Sequence, residues 1–210
     1  MPRALHLVSV NLGAAAPLPA GERVVMSGIV KRAVPAAQAA ALGLVGDDQV
    51  DQSVHGGLAK ALYAYPSEHY AFWNTVRRQS LRPDGRARGD GVLPYADLPD
   101  LPWGSMGENL TLAGLTEQEM YVGDVLRIGM VELVVTSPRI PCFKFAAVMG
   151  FAQAPKLMVQ SGYCGCYLEV RTPGELRPDT PIELRPGDRE RALAISTLFR
   201  MQTRRMAANG

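Results

Sequence analysis

The chain has 210 residues, a formal net charge of +2 and three cysteines. This length suits one full-sized domain with a short appendage, and so small a charge does not demand a nucleic acid or an anionic membrane as partner. Three cysteines in a chain of this length do not make a disulfide framework, so we expect reduced thiols and a cytoplasmic protein. Hydrophobic residues make up 47% of the chain, with 21 glycines and 16 prolines, which favours a β-rich, loop-rich architecture over a helical bundle.

The first residues are typical of a strand and not of a secretion signal. His6, Ser9 and Asn11 interrupt the apolar run that a signal peptide needs. No stretch of the sequence reaches the length of a membrane span. We therefore expect no nucleic-acid partner and no membrane partner.

Short apolar runs bounded by glycine or proline predict eight strands. They cover residues 5–10, 24–30, 61–65, 110–112, 125–128, 131–136, 163–170 and 182–184. Helices are predicted from about Pro66, over 143–149 and over 155–159, and Asp188 is predicted to cap a C-terminal helix. The fold class is therefore mainly β with flanking helices, as in a closed or half-closed barrel.

The domain organisation follows from the same pattern. We expect one domain over residues 1–186, with its core at about 20–185. Residues 80–103 lack apolar periodicity and are predicted to form an exposed insertion loop. Residues 187–210 form a helical tail, whose basic face is either solvated or a docking surface for a partner.

The most informative segment follows the strand predicted at 131–136. Its sequence is Thr136-Ser137-Pro138-Arg139-Ile140-Pro141-Cys142-Phe143-Lys144. Two prolines stiffen this loop and present one cysteine between two cations. Nearby cations favour the thiolate, which is the form that binds soft metals or attacks electrophiles. The alternative is that Cys142 is a small buried hydrophobic residue.

The other two cysteines, Cys164 and Cys166, flank one glycine. They would share one face of a strand over 163–170. Such a pair could supply half of a metal site, but this signal is weak, and packing in the core is the expected role.

Three glycine-rich segments lie at strand entries. In residues 51–60, paired glycines let backbone N–H groups approach a ligand, and His55 and Lys60 can donate to an anion, although a tight turn with a structural histidine has the same pattern. In residues 104–112, Asn109 and Thr111 lie at the mouth of a strand, where the amide suits the edge of a heterocycle or caps a turn. Residues 161–167 form the third segment.

Together, in this order and spacing, these segments resemble the MOSC family, named after the C-terminal domain of molybdenum-cofactor sulfurases, and in particular its small stand-alone YiiM-type members. The resemblance extends from about Leu7 to Leu184. Its blocks are Ser27-Gly28-Ile29-Val30-Lys31-Arg32, His55-Gly56-Gly57 with Ala64-Tyr65-Pro66 and His69-Tyr70, Gly107-Glu108-Asn109-Leu110-Thr111, Pro138-Arg139 with Pro141-Cys142 and Lys144, and Ser161-Gly162 with Gly165 and Tyr167.

The resemblance implies a MOSC β-barrel-like fold that carries a molybdenum–pterin cofactor. Cys142 would be the catalytic residue and the protein ligand to the molybdenum ion. The residues that would hold the pterin and its phosphate are His55, Gly56, Gly57, Lys60, Asn109, Thr111, Ser137, Arg139 and Lys144. We expect Cys142, His55 and Asn109 to line one positively charged cleft.

Enzymes of this family reduce N-hydroxylated small molecules such as hydroxylaminopurines and amidoximes, and the resemblance implies the same reaction here. The sequence shows no flavin or iron–sulfur motif, so a separate reductase would supply the electrons. YiiM-type proteins often end in three helices, whereas residues 187–210 have room for one. Two other functions stay open: a sulfur carrier that holds a persulfide on Cys142, and a non-catalytic cofactor-binding module. The sequence leaves the oligomeric state open.

Overall fold

The computed structural model describes residues 4–50, 56–81 and 98–208. This part of the chain is rich in short strands. The strands are β1 His6–Leu12, β2 Ala16–Ala20, β3 Arg23–Ser27, β4 Arg32–Val34, β5 Ala37–Ala40, β6 Gly43–Leu44, β7 Leu62–Pro66, β8 Leu110–Ala113, β9 Val125–Ile128, β10 Val131–Pro138, β11 Cys166–Thr172, β12 Gly174–Leu176 and β13 Ile182–Arg185. The helices are α1 Tyr70–Ser80, α2 Phe143–Met149, α3 Ala154–Ser161 and α4 Ile195–Ala208, with 3₁₀ turns at Leu58–Lys60 and Ser67–His69.

The main sheet has eight strands in the order β13-β9-β10-β11-β7-β8-β1-β4. Neighbouring strands are antiparallel except for β7 and β8, which run parallel. The Leu7 N–H donates to the Thr180 carbonyl over 2.9 Å, and the Ile182 N–H donates to the Leu5 carbonyl over 2.9 Å. These bonds join β1 to the start of β13, so the sheet curls until strands near its two edges meet. The prediction of a mainly β fold with flanking helices is confirmed, and the barrel is half-closed.

The alternating burial of side chains along β10 shows why one face of this sheet forms the core. Val131, Leu133 and Val135 are fully buried, whereas the residues between them are half-buried. Successive side chains of a strand point to opposite faces, so a period of two places these three on one side. Burial of each such side chain contributes about 1.5–3 kcal/mol.

Helices α1 and α2 cover the sheet close to the segment that carries Cys142. Trp73 of α1 is fully buried and meets Phe145 of α2 edge-to-face, with ring centroids 5.2 Å apart. The Trp73 indole N–H donates to the Tyr65 hydroxyl over 2.6 Å. Helix α2 is therefore held in place by the aromatic core and by β7.

Helix α4 begins later than the sequence suggests. Asp188 accepts from the Glu190 N–H over 3.0 Å and so caps a turn, while the helix itself begins at Ile195. Ile195 and Phe199 are fully buried, and the arginines Arg200, Arg204 and Arg205 are exposed. The tail helix thus packs on the domain with its basic face toward solvent, whereas the division of the chain at residue 186 stays a prediction.

The other differences concern boundaries and short strands. The strand predicted over 163–170 begins at Cys166, so Cys164 lies in the preceding turn. Strands β2, β4, β5, β6 and β12 were not predicted. Most of the predicted insertion loop, residues 82–97, lies outside the described residues. At its end Trp103 packs edge-on against Tyr70, with ring centroids 4.5 Å apart. No helix in the described ranges is long and apolar enough to cross a membrane.

Candidate functional site

A cleft opens beside the loop that follows β10. Its empty volume is about 650 Å³, including the part open to solvent. The lining residues are Ser27, Gly28, Ile29, Lys31, Asp47, Asp48, Gln49, Val50, Gly56, Lys60, Ala61, Tyr63, Gly107, Asn109, Arg139, Cys142, Lys144 and Tyr167. Strands β3, β7, β10 and β11 therefore contribute to one site, either directly or through the loops that follow or precede them.

Cys142 lies at the edge of this cleft, directly before helix α2. Its backbone is extended (φ −126°, ψ 175°), and its carbonyl accepts from the Phe145 N–H over 3.0 Å. The residue is half-buried, in contrast to the other two cysteines. The expectation of an extended loop that presents the thiol is confirmed by this geometry.

Arg139 is the most unusual charge at the site. Only 3% of it is exposed, and no carboxylate of the described residues lies within ion-pair distance. Its guanidinium carbon lies 5.1 Å from the Tyr63 ring centroid and 5.0 Å from that of Phe145, and Nη1 contacts the Met158 sulfur at 3.6 Å. An isolated buried cation is costly, so an anion in the cleft would stabilise it.

The charge state of Arg139 follows from its neighbours. Burial lowers the pKa of Arg139, but Tyr63, Tyr167 and Cys142 raise it, and the net shift is upward. The guanidinium therefore stays protonated and presents a permanent positive charge to the cleft.

Two lysines add to this positive charge. Lys144, in the first turn of α2, and Lys60, at the end of a 3₁₀ turn, both line the cleft. The Lys60 ammonium nitrogen lies 5.6 Å from the centroid of the Tyr167 ring. A third lysine, Lys31, is neutralised by an ion pair with Asp47.

Asn109 binds protein groups through both ends of its amide. Its oxygen accepts from the Tyr63 N–H over 3.1 Å, and its nitrogen donates to Asp47 Oδ2 over 2.9 Å. Asp47 also accepts from the Gly13 N–H over 2.8 Å. Asn109 therefore fixes the wall of the cleft by connecting β7 to the segment around Asp47.

Thr111 lies behind this wall in a buried network. Its hydroxyl donates to Glu108 Oε1 over 2.9 Å and accepts from the Asn11 amide over 3.2 Å. Glu108 also accepts from the Gly104 and Met106 N–H groups and from the Tyr70 hydroxyl. The Gly107–Thr111 block thus shapes the loop that carries Asn109.

The predicted site residues divide into three groups. The cleft brings together Cys142, Gly56, Lys60, Asn109, Arg139 and Lys144. Gly57, Thr111 and Ser137 do not line it, although Ser137 pairs with Tyr167 across β10 and β11. His55 lies outside the described residues, so the expected convergence of Cys142, His55 and Asn109 is seen for Cys142 and Asn109 alone.

Cys164 and Cys166 are fully buried. Burial raises the pKa of both thiols, and Glu117 raises both further. Cys164 donates to the Gly165 carbonyl, and Cys166 contacts the Met120 sulfur at 3.5 Å. No cluster of three or more His, Cys, Asp or Glu residues in the described part of the chain is arranged to hold a metal ion.

Sequence reasoning assigned no role to Lys31, Asp47, Tyr63 or Tyr167, all of which line the cleft. Lys31 and Tyr167 belong to the sequence blocks that resemble the MOSC family, and this could have marked them as candidate site residues. Asp47 carried no signal, because its role depends on the close approach of two loops. A Cβ atom on Gly28 would lie 2.2 Å from the Asp48 carbonyl oxygen, so only glycine lets these loops touch.

Comparison with known proteins agrees with this architecture. The family model described as "MOSC domain" matches residues 51–188. The chain belongs to the MOSC family. YflK from Bacillus subtilis is 35% identical over 181 residues, which cover 85% of this chain and 72% of that protein.

Two further relatives of this MOSC protein are informative. YiiM from Geobacillus stearothermophilus has a crystal structure with a TM-score of 0.65 and 28% identity, covering 94% of this chain and 83% of that one. A protein of Gibberella moniliformis named "Reductase" is 30% identical over 163 residues, which cover 76% of this chain but 26% of that protein. The chain thus spans about a quarter of the fungal protein, and the fold is of the YiiM type.

Proposed function

We propose that this MOSC protein reduces N-hydroxylated compounds with a molybdenum–pterin cofactor bound in the cleft. The observation that carries the proposal is Arg139, a buried cation that faces the cleft and has no carboxylate partner in the described ranges. Cys142, whose thiolate would be a soft metal ligand, lines the same cleft. The family membership and the fungal relative named as a reductase support an oxidoreductase.

The residues present fit such a cofactor. Cys142 would bind the molybdenum ion, because a thiolate is a soft donor. Arg139, Lys60 and Lys144 would bind the anionic phosphate and dithiolene groups, since charge-assisted hydrogen bonds to such groups are strong. Gly56 allows close approach of backbone N–H groups. Roles for His55, Gly57, Thr111 and Ser137 stay predictions.

Asn109 would act indirectly in this arrangement. Because both ends of its amide already bind Tyr63 and Asp47, it would hold the cleft wall in position without needing to contact the pterin.

When bound, the cofactor supplies the two electrons of the reaction. An N–OH group takes up two electrons and two protons, the N–O bond breaks, and the products are the N–H compound and water. A separate flavoprotein or iron–sulfur protein would return the electrons. Cys142 and the three cations would hold the cofactor at the edge of the cleft, where a small substrate can enter.

The test uses full-length protein from a host that makes molybdenum cofactor. Molybdenum is measured by elemental mass spectrometry, and reduction of benzamidoxime is measured by chromatography with reduced methyl viologen as electron donor. We expect Cys142→Ser to lose both molybdenum and activity while its thermal stability stays close to wild type, because serine keeps the size but removes the soft sulfur.

Cys164→Ser is the matched control, since it changes the same chemistry at a core position that the cleft does not include. It should keep its molybdenum content even where its stability falls. Full activity of the Cys142→Ser protein would overturn the proposed mechanism. Persulfide on Cys142 in a molybdenum-free wild-type protein would instead favour the sulfur-carrier function.

A further inference from the structure

Tyr167 lines the cleft together with the cations Arg139, Lys60 and Lys144. It lies on β11, opposite Tyr63 of β7 and Ser137 of β10. Only 7% of the residue is exposed, yet it lines the cleft that contains Cys142. The neighbouring strands therefore fix the ring firmly beside the candidate reaction centre.

Arg139 acts on the hydroxyl groups of both Tyr63 and Tyr167. Tyr63 donates its hydroxyl proton to the Cys164 carbonyl over 2.8 Å, and this bond holds the turn before β11. The positive charge of Arg139 lowers the pKa of the Tyr167 hydroxyl. A guanidinium can only donate, so Arg139 can bind the oxygen of a tyrosine but cannot take up its proton.

The protonation of Tyr167 suits a proton donor. Burial raises the pKa of Tyr167, Arg139 lowers it and Cys142 raises it, with a net upward shift. The phenol is therefore protonated at neutral pH. After it gives up its proton, the guanidinium of Arg139 would stabilise the phenolate, and the Lys60 ammonium, 5.6 Å from the ring, would add to this.

The proposed reduction requires a proton at the oxygen that leaves. Hydroxide is a poor leaving group, and protonation of this oxygen as the N–O bond breaks releases water instead. A positioned side chain that transfers such a proton contributes about 10²- to 10⁴-fold in rate.

We propose that Tyr167 is the general acid that protonates the leaving oxygen of the N–OH substrate. This inference rests on the proposed function. The bound cofactor would supply two electrons; as the N–O bond breaks, Tyr167 would give its proton to the leaving oxygen, and a solvent proton would complete the N–H product. Water then reprotonates the phenolate, so that Tyr167 is unchanged after each turnover.

The experiment compares wild type with Tyr167→Phe, both purified from a host that makes the cofactor. Phenylalanine keeps the ring that packs beside Tyr63 and removes only the hydroxyl. Tyr121→Phe is the control, because Tyr121 packs against Arg189 near the C-terminal segment, with 4.0 Å between ring centroid and guanidinium carbon. Molybdenum per chain, benzamidoxime turnover against pH, and the solvent deuterium isotope effect are measured for all three proteins.

We expect Tyr167→Phe to keep its molybdenum, to change KM little and to lose about 10²-fold or more in kcat. In wild type, kcat should fall at high pH as the phenol ionises, and this fall should be absent in Tyr167→Phe. Added small acids should restore part of the rate of Tyr167→Phe. Tyr121→Phe should match wild type in every measurement.

The measurements distinguish a wrong role of Tyr167 from a wrong proposed function. If wild type is active and Tyr167→Phe keeps most of its kcat, the proton-donor role is overturned while the proposed function stands. Loss of molybdenum from Tyr167→Phe would show a residue that holds the cofactor, which also overturns the role as acid. A molybdenum-loaded wild type without reductase activity would refute the proposed function and this inference with it.

Discussion

Replacing Arg139 by methionine separates ligand binding from folding. Arg139 lies between the rings of Tyr63 and Phe145 and against the sulfur of Met158, so an unbranched apolar side chain can fill its place. Burial of an unpaired charge costs several kcal/mol, whereas two cation–π contacts return about 0.5–2 kcal/mol each. These effects largely cancel, and we expect Arg139→Met to change the free energy of unfolding of the cofactor-free protein by no more than about 2 kcal/mol.

Arg139→Met should have a larger effect on cofactor binding than on folding, and this effect should always weaken binding. A hydrogen bond to a charged group contributes about 1.5–3 kcal/mol. Loss of one such bond would weaken cofactor retention by about 10- to 150-fold, since 1.4 kcal/mol corresponds to a factor of ten. The measurement is molybdenum per chain after extended dialysis, together with urea unfolding of protein made without cofactor.

Arg204→Met serves as the control, because Arg204 lies on the exposed face of α4 and should affect neither quantity. The reasoning would be refuted by an Arg139→Met protein that retains molybdenum as well as wild type. It would also be refuted if the cofactor-free variant were destabilised by much more than the control, because Arg139 would then be a structural residue.

Two further predictions test the thiols and the tail. In native protein at neutral pH, iodoacetamide should alkylate Cys142 rapidly and leave Cys164 and Cys166 unmodified, because burial shields these two thiols and raises their pKa. Intact-mass and peptide analysis would identify the labelled cysteine. Early labelling of either buried thiol would contradict this prediction. Phe199→Ala should lower the free energy of unfolding by about 3–5 kcal/mol, because it removes a fully buried ring. Met201 is exposed, so Met201→Ala should change the free energy of unfolding by about 0.5 kcal/mol or less in the same urea titration. Equal effects of the two substitutions would show that α4 does not pack as described.

The sequence predicted the elements that have strong local signals. Strand Val125–Ile128 and helix Phe143–Met149 match their predicted limits, because glycine, proline or a cap bounds each apolar run. Strand β2 was missed because prolines alternate in it, and its pairing with β3 supplies the bonds that decide its structure. Strands β5 and β12 pair across most of the chain, so no short window contains their partner.

The same contrast holds for the candidate site. Arg139, Cys142 and Lys144 lie within a segment of six residues, so the sequence predicted that they share one site, and all three line the cleft. The ion pair between Lys31 and Asp47 was not, because it depends on tertiary contact between two loops. Asn109 was predicted to bind the edge of a heterocycle or to cap a turn. The bonds of its amide to Tyr63 and Asp47 could not be predicted, because such partners are set by the fold and not by residue type.

The contact between β1 and residues 179–182 has a consequence for how the chain folds. The hydrogen bonds from Leu7 to Thr180 and from Ile182 to Leu5 join segments separated by most of the sequence. Contacts between residues so distant in the chain slow folding, because the loop between them must be ordered first. On the ribosome, β1 must wait for this partner until residues 179–182 have been synthesised. Until then the free edge of β1 is a site for mispairing with other strands. The segment that leads into β13 therefore protects β1 once it has been synthesised.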